Sequence, residues 1–190
     1  MASERFLVTG ALGCIGAWAV KRLVEEQVPV WTYDLPGDPH RWRLIMGDEA
    51  ISMVHVITGD ITDAPAFERA VVDNGITHVV HLAALQVPFV RADPVQGARV
   101  NVVGTAIVLE TIKRHARQVR GLAYASSVAV YALDEDYPAG PLANDAPHHP
   151  STLYGVYKDA NEGMARIYWQ DYGVRSTGSP CSSCGIDTSA

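Results

Sequence analysis

Thr9-Gly10-Ala11-Leu12-Gly13-Cys14-Ile15-Gly16 is the stretch whose reading decides the fold of this chain. It follows the apolar run Phe6-Leu7-Val8, which reads as a short buried strand, and opens into residues 18–26, which read as a helix. Strand, glycine turn, helix is the context a phosphate-binding loop needs. Glycines let the backbone turn tightly and approach a pyrophosphate, whose charge then sits at the helix N-terminus among unpaired N–H groups. The next apolar run (Val28, Val30, Trp31, Tyr33) ends on Asp34, eighteen residues after Gly16. A carboxylate there can accept both hydroxyls of an adenosine ribose, so the loop reads as a dinucleotide site.

Outward from this stretch, strand and helix signals alternate, the pattern of a parallel sheet with helices on both faces. Strands are expected at about 53–58, 77–82 and 121–125. Asp63 and Pro65 start a helix that Gly75 closes. Asp93-Pro94 starts a long helix to about residue 116. This helix is apolar nearly all round (Val100, Val102, Val103, Ala106, Ile107, Val108, Leu109, Ile112), so one face covers the sheet and the other needs a second partner. Residues 133–150 carry four prolines and four acidic residues and read as a surface loop. Ser151 then caps a helix to about residue 172, with a core stripe of Leu153, Tyr157, Ala160, Met164 and Ile167.

The chain has 190 residues, 48% of them hydrophobic, which suits one α/β domain with a real core. A formal charge of −6 argues against nucleic acid or an anionic membrane as a main partner. No apolar run approaches the eighteen or so residues of a membrane span, and the first strand begins too early to leave room for a signal peptide. A cytoplasmic location is expected. Three cysteines do not suggest a disulfide framework. Cys181-Ser182-Ser183-Cys184 has C-x-x-C spacing but no matching second pair, and His148-His149 on a proline-rich loop reads as solvated. No metal site is expected.

The chemistry concentrates in Tyr154-Gly155-Val156-Tyr157-Lys158, where a phenol and an ammonium stand at i and i+4 on one helix face. That face is offset from the core stripe, so both groups should reach an open cleft at the sheet edge. A nearby Lys⁺ favours the phenolate and brings Tyr154 toward use as a base. Ser127, at the carboxyl end of the fifth strand, lies where α/β sheets put ligands and could hold a substrate oxygen. With the glycine loop, Ser127, Tyr154 and Lys158 form a hydride-transfer constellation.

The motifs Thr9-Gly10-x-x-Gly13-x-x-Gly16, Asp34, Asp60-Ile61, His81-Leu82-Ala83-Ala84, Asn101-x-x-Gly104-Thr105, Ser126-Ser127 before Val130-Tyr131, and Tyr154-x-x-x-Lys158 occur in order over residues 5 to about 173. In these the chain resembles an extended short-chain dehydrogenase/reductase, of the NAD-dependent epimerase/dehydratase group. The resemblance implies a Rossmann-type, doubly wound parallel sheet and NAD as cofactor. It places Cys14 and Ile15 on the pyrophosphate, with Asp34 on the adenosine ribose and Asp60 with Ile61 beside the adenine. Leu82, Ala83 and Ala84 would line the cofactor, with Asn101 nearby. Tyr154 becomes the acid/base, and Lys158 also holds the nicotinamide ribose. It further implies a homodimer through helices 93–116 and 151–172.

Dehydratases and decarboxylases of this group carry acidic residues directly after the catalytic Ser or Thr. Here Val128 and Ala129 stand there and cannot transfer a proton. That leaves alcohol oxidation or carbonyl reduction on a sugar, sugar acid or related polyol, and epimerisation of a nucleotide sugar through a transient ketone. The family continues into a small C-terminal substrate domain. Residues 175–190 instead read as an irregular Ser/Cys-rich tail after an NAD-binding domain of residues 1–174, with the substrate domain missing or truncated. A cofactor-binding module without turnover is therefore a third reading.

Overall fold

The computed structural model of the chain describes residues 4–131, 137, 140–143 and 146–181. Six strands form one sheet, β1 (Phe6–Thr9), β2 (Val30–Asp34), β3 (His55–Thr58), β4 (His78–His81), β5 (Gly121–Ser127) and β6 (Ser176–Cys181), in the order β3-β2-β1-β4-β5-β6. Every pairing is parallel, with Thr9 opposite Tyr33 on one side and His81 on the other. The order reverses between β1 and β4, and at that switch point α/β sheets open a crevice beyond the strand ends. The doubly wound Rossmann-type fold is thereby observed.

Both faces of the inner strands are covered, which is why they read as continuous apolar runs rather than alternating ones. Leu7, Val79 and Leu122 pack under α4 (Ala64–Asp73), α7 (Gly104–Arg114) and α8 (Leu153–Tyr172), together with Phe67, Val108, Leu109 and Ile112. On the opposite face Val8 and Val30 pack under Ala17, Val20 and Val24 of α1 (Cys14–Glu25) and under Trp42 of α2 (His40–Ile45). A short α3 (Asp48–Ser52) follows α2.

Local signals placed most boundaries. Asp63 caps α4 by accepting the Ala66 N–H at 3.0 Å, and Gly75 turns the chain out at φ +61. Thr152, rather than Ser151, caps α8 by accepting the Gly155 N–H at 3.0 Å.

Three expectations need correction. The segment after Asp93 is a helix to Arg114, but not a uniform one: α6 (Pro94–Ala98) and α7 flank a π-helical turn at Arg99–Val103, and a separate α5 (Val87–Ala92) precedes them. The stripe Leu153, Tyr157, Ala160, Met164, Ile167 is not the core face of α8. Leu153 and Ile167 are 47% and 42% exposed, whereas Gly155, Lys158, Asn161 and Ala165 are buried against the sheet. Small and polar residues line the buried face because α8 presses close to β5 there. Finally, the irregular tail begins later than residue 175. Ser176–Cys181 pairs with β5 from Leu122 to Ser127, because backbone hydrogen bonding along an open edge does not require apolar side chains. Residues 182–190, and with them the Cys181/Cys184 pairing, lie outside the described residues.

Candidate active site

The glycine loop is held in a shape only glycine permits. Gly10 sits at φ +67, and a Cβ there would stand 2.7 Å from the Ala83 N at the end of β4. A Cβ on Gly16 would stand 2.2 Å from the Gly10 carbonyl oxygen, so α1 can start against the loop only if that atom is absent. Gly13 is the N-cap of α1, no side chain caps it, and no acidic residue stands in the first turn. A twelve-residue helix with an open N-terminus at a switch point fits a pyrophosphate.

Asp34 is fixed beside this loop: its Oδ2 accepts the Leu12 N–H and its Oδ1 the Leu35 N–H, each at 2.9 Å. The loop is also braced from α2. Trp42, 2% exposed, donates its indole N–H to the Ala11 carbonyl at 2.9 Å, and Arg41 donates to the Leu12 carbonyl at 3.1 Å. Asp60 closes the far side. Its Oδ1 accepts from the Thr62 N–H and hydroxyl, and its carbonyl accepts from the Tyr33 phenol at 3.1 Å. Ile61 is buried under Gly104, where a Cβ would meet its side chain at 3.0 Å.

Leu82, Ala83 and Ala84 leave β4 at half-burial facing Gly10. The Thr9 hydroxyl accepts the Leu82 and Ala83 N–H groups, both at 3.2 Å. Behind them lies a buried polar line: His81 Nδ1 is 2.8 Å from Thr9 Oγ1, His81 Nε2 is 3.1 Å from Thr105 Oγ1, and Thr105 donates to the Asn101 carbonyl. The network assigns the proton to Nε2, since Thr105 uses its own proton on that carbonyl. Asn101 is 1% exposed, and its carboxamide both accepts from and donates to the Leu85 backbone, at 2.7 and 2.8 Å. It reaches the site by holding the loop after β4, from the π-helical turn.

Burial, and to a lesser degree the Lys158 charge, pulls His81 down to about 3. An unfolded histidine titrates near 6.5, so the folded state binds fewer protons between those values. This contribution to stability is complete above about pH 6.5 and is lost as pH falls toward 3. Melting temperature should fall over that window more steeply in the wild type than in His81→Gln. Parallel curves for the two proteins would contradict the buried neutral imidazole.

On the other side of the crevice, β5 ends in Ser126-Ser127 and turns through a 3₁₀ segment, Val128–Val130. Ser127 is 8% exposed and accepts the Ala129 N–H at 3.1 Å, which leaves its proton to donate. Lys158 is 4% exposed and donates to the Ala125 carbonyl at 2.8 Å, with Nζ 5.7 Å from the centre of the half-buried Tyr154 ring. Burial lowers Lys158 to about 8. The Tyr154–Lys158 face is thus the sheet face of α8, not one offset from the core, and it meets the crevice where β5 ends.

Three polar contacts were not legible in the sequence. The buried Ser126 hydroxyl bonds to the Glu162 carboxylate, and His148 stands 2.7 Å from Asp159 and 4.0 Å from Glu162. His148, which reads as solvated in the sequence, in fact ties the end of the proline-rich segment to α8 and stacks edge-on against Tyr131. No cluster of metal-ligating side chains occurs among the described residues, and no helix among them is long and apolar enough to cross a membrane.

The glycine loop and Asp34 thus lie on one side of the switch point, and the end of β5 with Ser127, Lys158 and the half-buried Tyr154 on the other. A dTDP-glucose 4,6-dehydratase of Mycolicibacterium smegmatis is 34% identical over 181 residues, covering 94% of this chain and 53% of that protein. The UDP-glucose 4-epimerase of Thermus thermophilus, solved as a complex with NAD, superposes with a TM-score of 0.78 at 30% identity, over 92% of this chain and 54% of its own. A monomeric L-threonine 3-dehydrogenase from a metagenome superposes with a TM-score of 0.79 at 28% identity, over 93% and 53%. The chain spans about half the length of these relatives. The NAD dependent epimerase/dehydratase family model matches residues 6–184, and the chain belongs to that family.

Proposed function

We propose that this chain supplies the cofactor-binding and proton-handling part of an NAD-dependent oxidoreductase acting on a hydroxyl of a sugar, sugar acid or related polyol. The observation that supports the reading is the Lys158 bond to the Ala125 carbonyl, two residues before Ser127 on β5, with Tyr154 on the same face of α8 and the glycine loop across the switch point. When bound, NAD accepts or returns a hydride at the nicotinamide ring. Gly10, Gly13, Cys14, Ile15 and Gly16 hold its pyrophosphate, and Asp34 holds the adenosine ribose. Asp60 and Ile61 flank the adenine, and Leu82, Ala83, Ala84 and Asn101 form the wall behind. Ser127 donates to the substrate oxygen while Tyr154 takes the hydroxyl proton. Lys158, charged below about pH 8, makes the phenolate easier to form.

Val128 and Ala129 offer no acid or base beside Ser127, which favours oxidation, reduction or epimerisation over dehydration. A nucleotide-sugar epimerase is the second reading, supported by the likeness to the Thermus enzyme. Incubation with NAD⁺ and a panel of sugars, sugar acids and nucleotide sugars separates the two. Net NADH supports the first, and a redox-neutral change of isomer the second. NAD⁺ binding without either outcome supports a cofactor-binding module. A cytoplasmic location belongs to the same proposal.

We also propose a homodimer through α6, α7 and α8. Leu153, Val156 and Ile167 on α8 and Val95 and Val103 on the neighbouring helix are each more than 40% exposed, although α8 and α4 already flank α7. Light scattering at micromolar concentration should give twice the chain mass, and Val156→Glu should give the monomer. A monomeric wild type refutes this.

A further inference from the structure

Among the described residues, Asn161 Oδ1 is the single buried side-chain oxygen or nitrogen without a hydrogen-bond partner. Asn161 is 2% exposed and lies on the face of α8 that presses against the sheet. Burying an amide oxygen unpartnered costs free energy that an apolar side chain of the same size does not. Its position accounts for it. Asn161 follows Lys158 by three residues, and residues so spaced are neighbours on one helix face, with Cβ atoms roughly 5–6 Å apart. Helical side chains lean toward the helix N-terminus, so the Asn161 carboxamide lies over the turn that carries Lys158.

Lys158 is 4% exposed, and one proton of its ammonium goes to the Ala125 carbonyl on β5. Burial alone lowers it to about 8, and no carboxylate among the described residues offsets that burial. The titratable groups that face it are Tyr154 on α8, whose ring centre is 5.7 Å from Nζ, and the neutral His81 on β4. Glu162, next to Asn161, is engaged by the Ser126 hydroxyl. The ammonium is thus left with protons to donate, one helical turn from an oxygen that accepts none.

We propose that Asn161 is a positioning residue for Lys158, its carboxamide oxygen facing the ammonium and helping to hold it protonated in a dry site. The inference rests on the reading of Lys158 as the group that favours the Tyr154 phenolate. A carboxylate in this place would pair with the ammonium and cancel its charge. A neutral oxygen stabilises the charged form and leaves its field at the phenol intact. Asn161 acts only through Lys158.

The chain has three lysines, Lys21, Lys113 and Lys158, so NMR of protein labelled with ε-¹³C-lysine follows Lys158 directly. Lys158→Met assigns its signal, and Lys21 and Lys113 serve as internal references. The titration is run on the free chain for the wild type, Asn161→Leu and Asn161→Asp, with a melting curve to show that each is folded. Asn161→Leu should lower the Lys158 midpoint by roughly one pH unit, a tenfold loss of proton affinity. Asn161→Asp keeps an oxygen in place and should hold the midpoint or raise it, while Lys21 and Lys113 stay where they are. If Asn161→Leu does not fold, Asn161→Ala removes the oxygen with less bulk and carries the same expectation. Where a substrate of the panel yields NADH, the alkaline limb of the pH profile should move down with the midpoint in Asn161→Leu. An unmoved Lys158 midpoint overturns the proposal. So does an equal fall in Asn161→Leu and Asn161→Asp, which would make Asn161 a packing residue only. A shifted midpoint in a chain that binds NAD⁺ without turnover upholds the contact and overturns the catalytic reading of Lys158 instead.

Discussion

Tyr154→Phe should leave NAD⁺ binding in place and lower turnover by roughly 10²–10⁴-fold, the usual contribution of a positioned proton-transfer group. The substitution removes one oxygen from a half-buried ring and leaves its packing on α8 nearly unchanged. The glycine loop and Asp34 lie across the crevice and keep their own contacts, so affinity and chemistry should separate. Lys158→Met should harm both. It leaves the half-buried Ala125 carbonyl without that donor, withdraws the charge that favours the phenolate, and removes the ribose contact proposed for Lys158. A melting curve is therefore needed beside the kinetics for Lys158→Met but matters less for Tyr154→Phe. Turnover that survives Tyr154→Phe undiminished would make the Tyr/Lys pair a structural feature of α8. NADH production from a substrate in the panel, monitored against NAD⁺ affinity by calorimetry, is the measurement.

How far the sequence reached depended on whether a feature was local. The glycine loop, Asp34, the Asp63 cap and Gly75 were legible because backbone dihedrals and caps are set within a few residues. The parallel sheet with helices on both faces followed from strand–helix alternation. The Leu153–Ile167 stripe misled because apolar periodicity reports that a face is covered without saying by what. On α8 the sheet side is lined by Gly155, Lys158, Asn161 and Ala165, and of the stripe Met164 alone packs against the core while Leu153 and Ile167 face outward. The Trp42 and Arg41 bonds to the loop, and the Ser126–Glu162 and His148–Asp159 contacts, join residues eleven to thirty-six positions apart, and no spacing rule covers such pairs. The sixth strand was missed because Ser176-Thr177-Gly178 lacks the apolar composition of a buried strand. It pairs through its backbone all the same.

Gly155→Ala should be the more damaging of the two Gly→Ala changes available in α8. A Cβ at residue 155 would stand 2.1 Å from the Ala129 carbonyl oxygen and 2.9 Å from Pro150 Cβ. The first contact is with backbone, so no side chain can rotate away, and either α8 or the Val128–Val130 turn must move. Both carry the site: the turn follows Ser127 directly, and the first turn of α8 presents Tyr154. Overpacking of this kind costs about 3 kcal/mol or more, which for a chain of this size lowers the melting temperature by roughly 6–12 °C. Any turnover should fall further than stability explains, because proton transfer needs Tyr154 and Ser127 within hydrogen-bond reach of one substrate oxygen. Gly163→Ala serves as the control, since a Cβ there meets nothing within 4 Å and alanine is the better helix former. Gly163→Ala should match or exceed the wild-type melting temperature. If Gly155→Ala melts with it, the close approach of α8 to the end of β5 is not as described, and the placement of Tyr154 beside Ser127 falls with it.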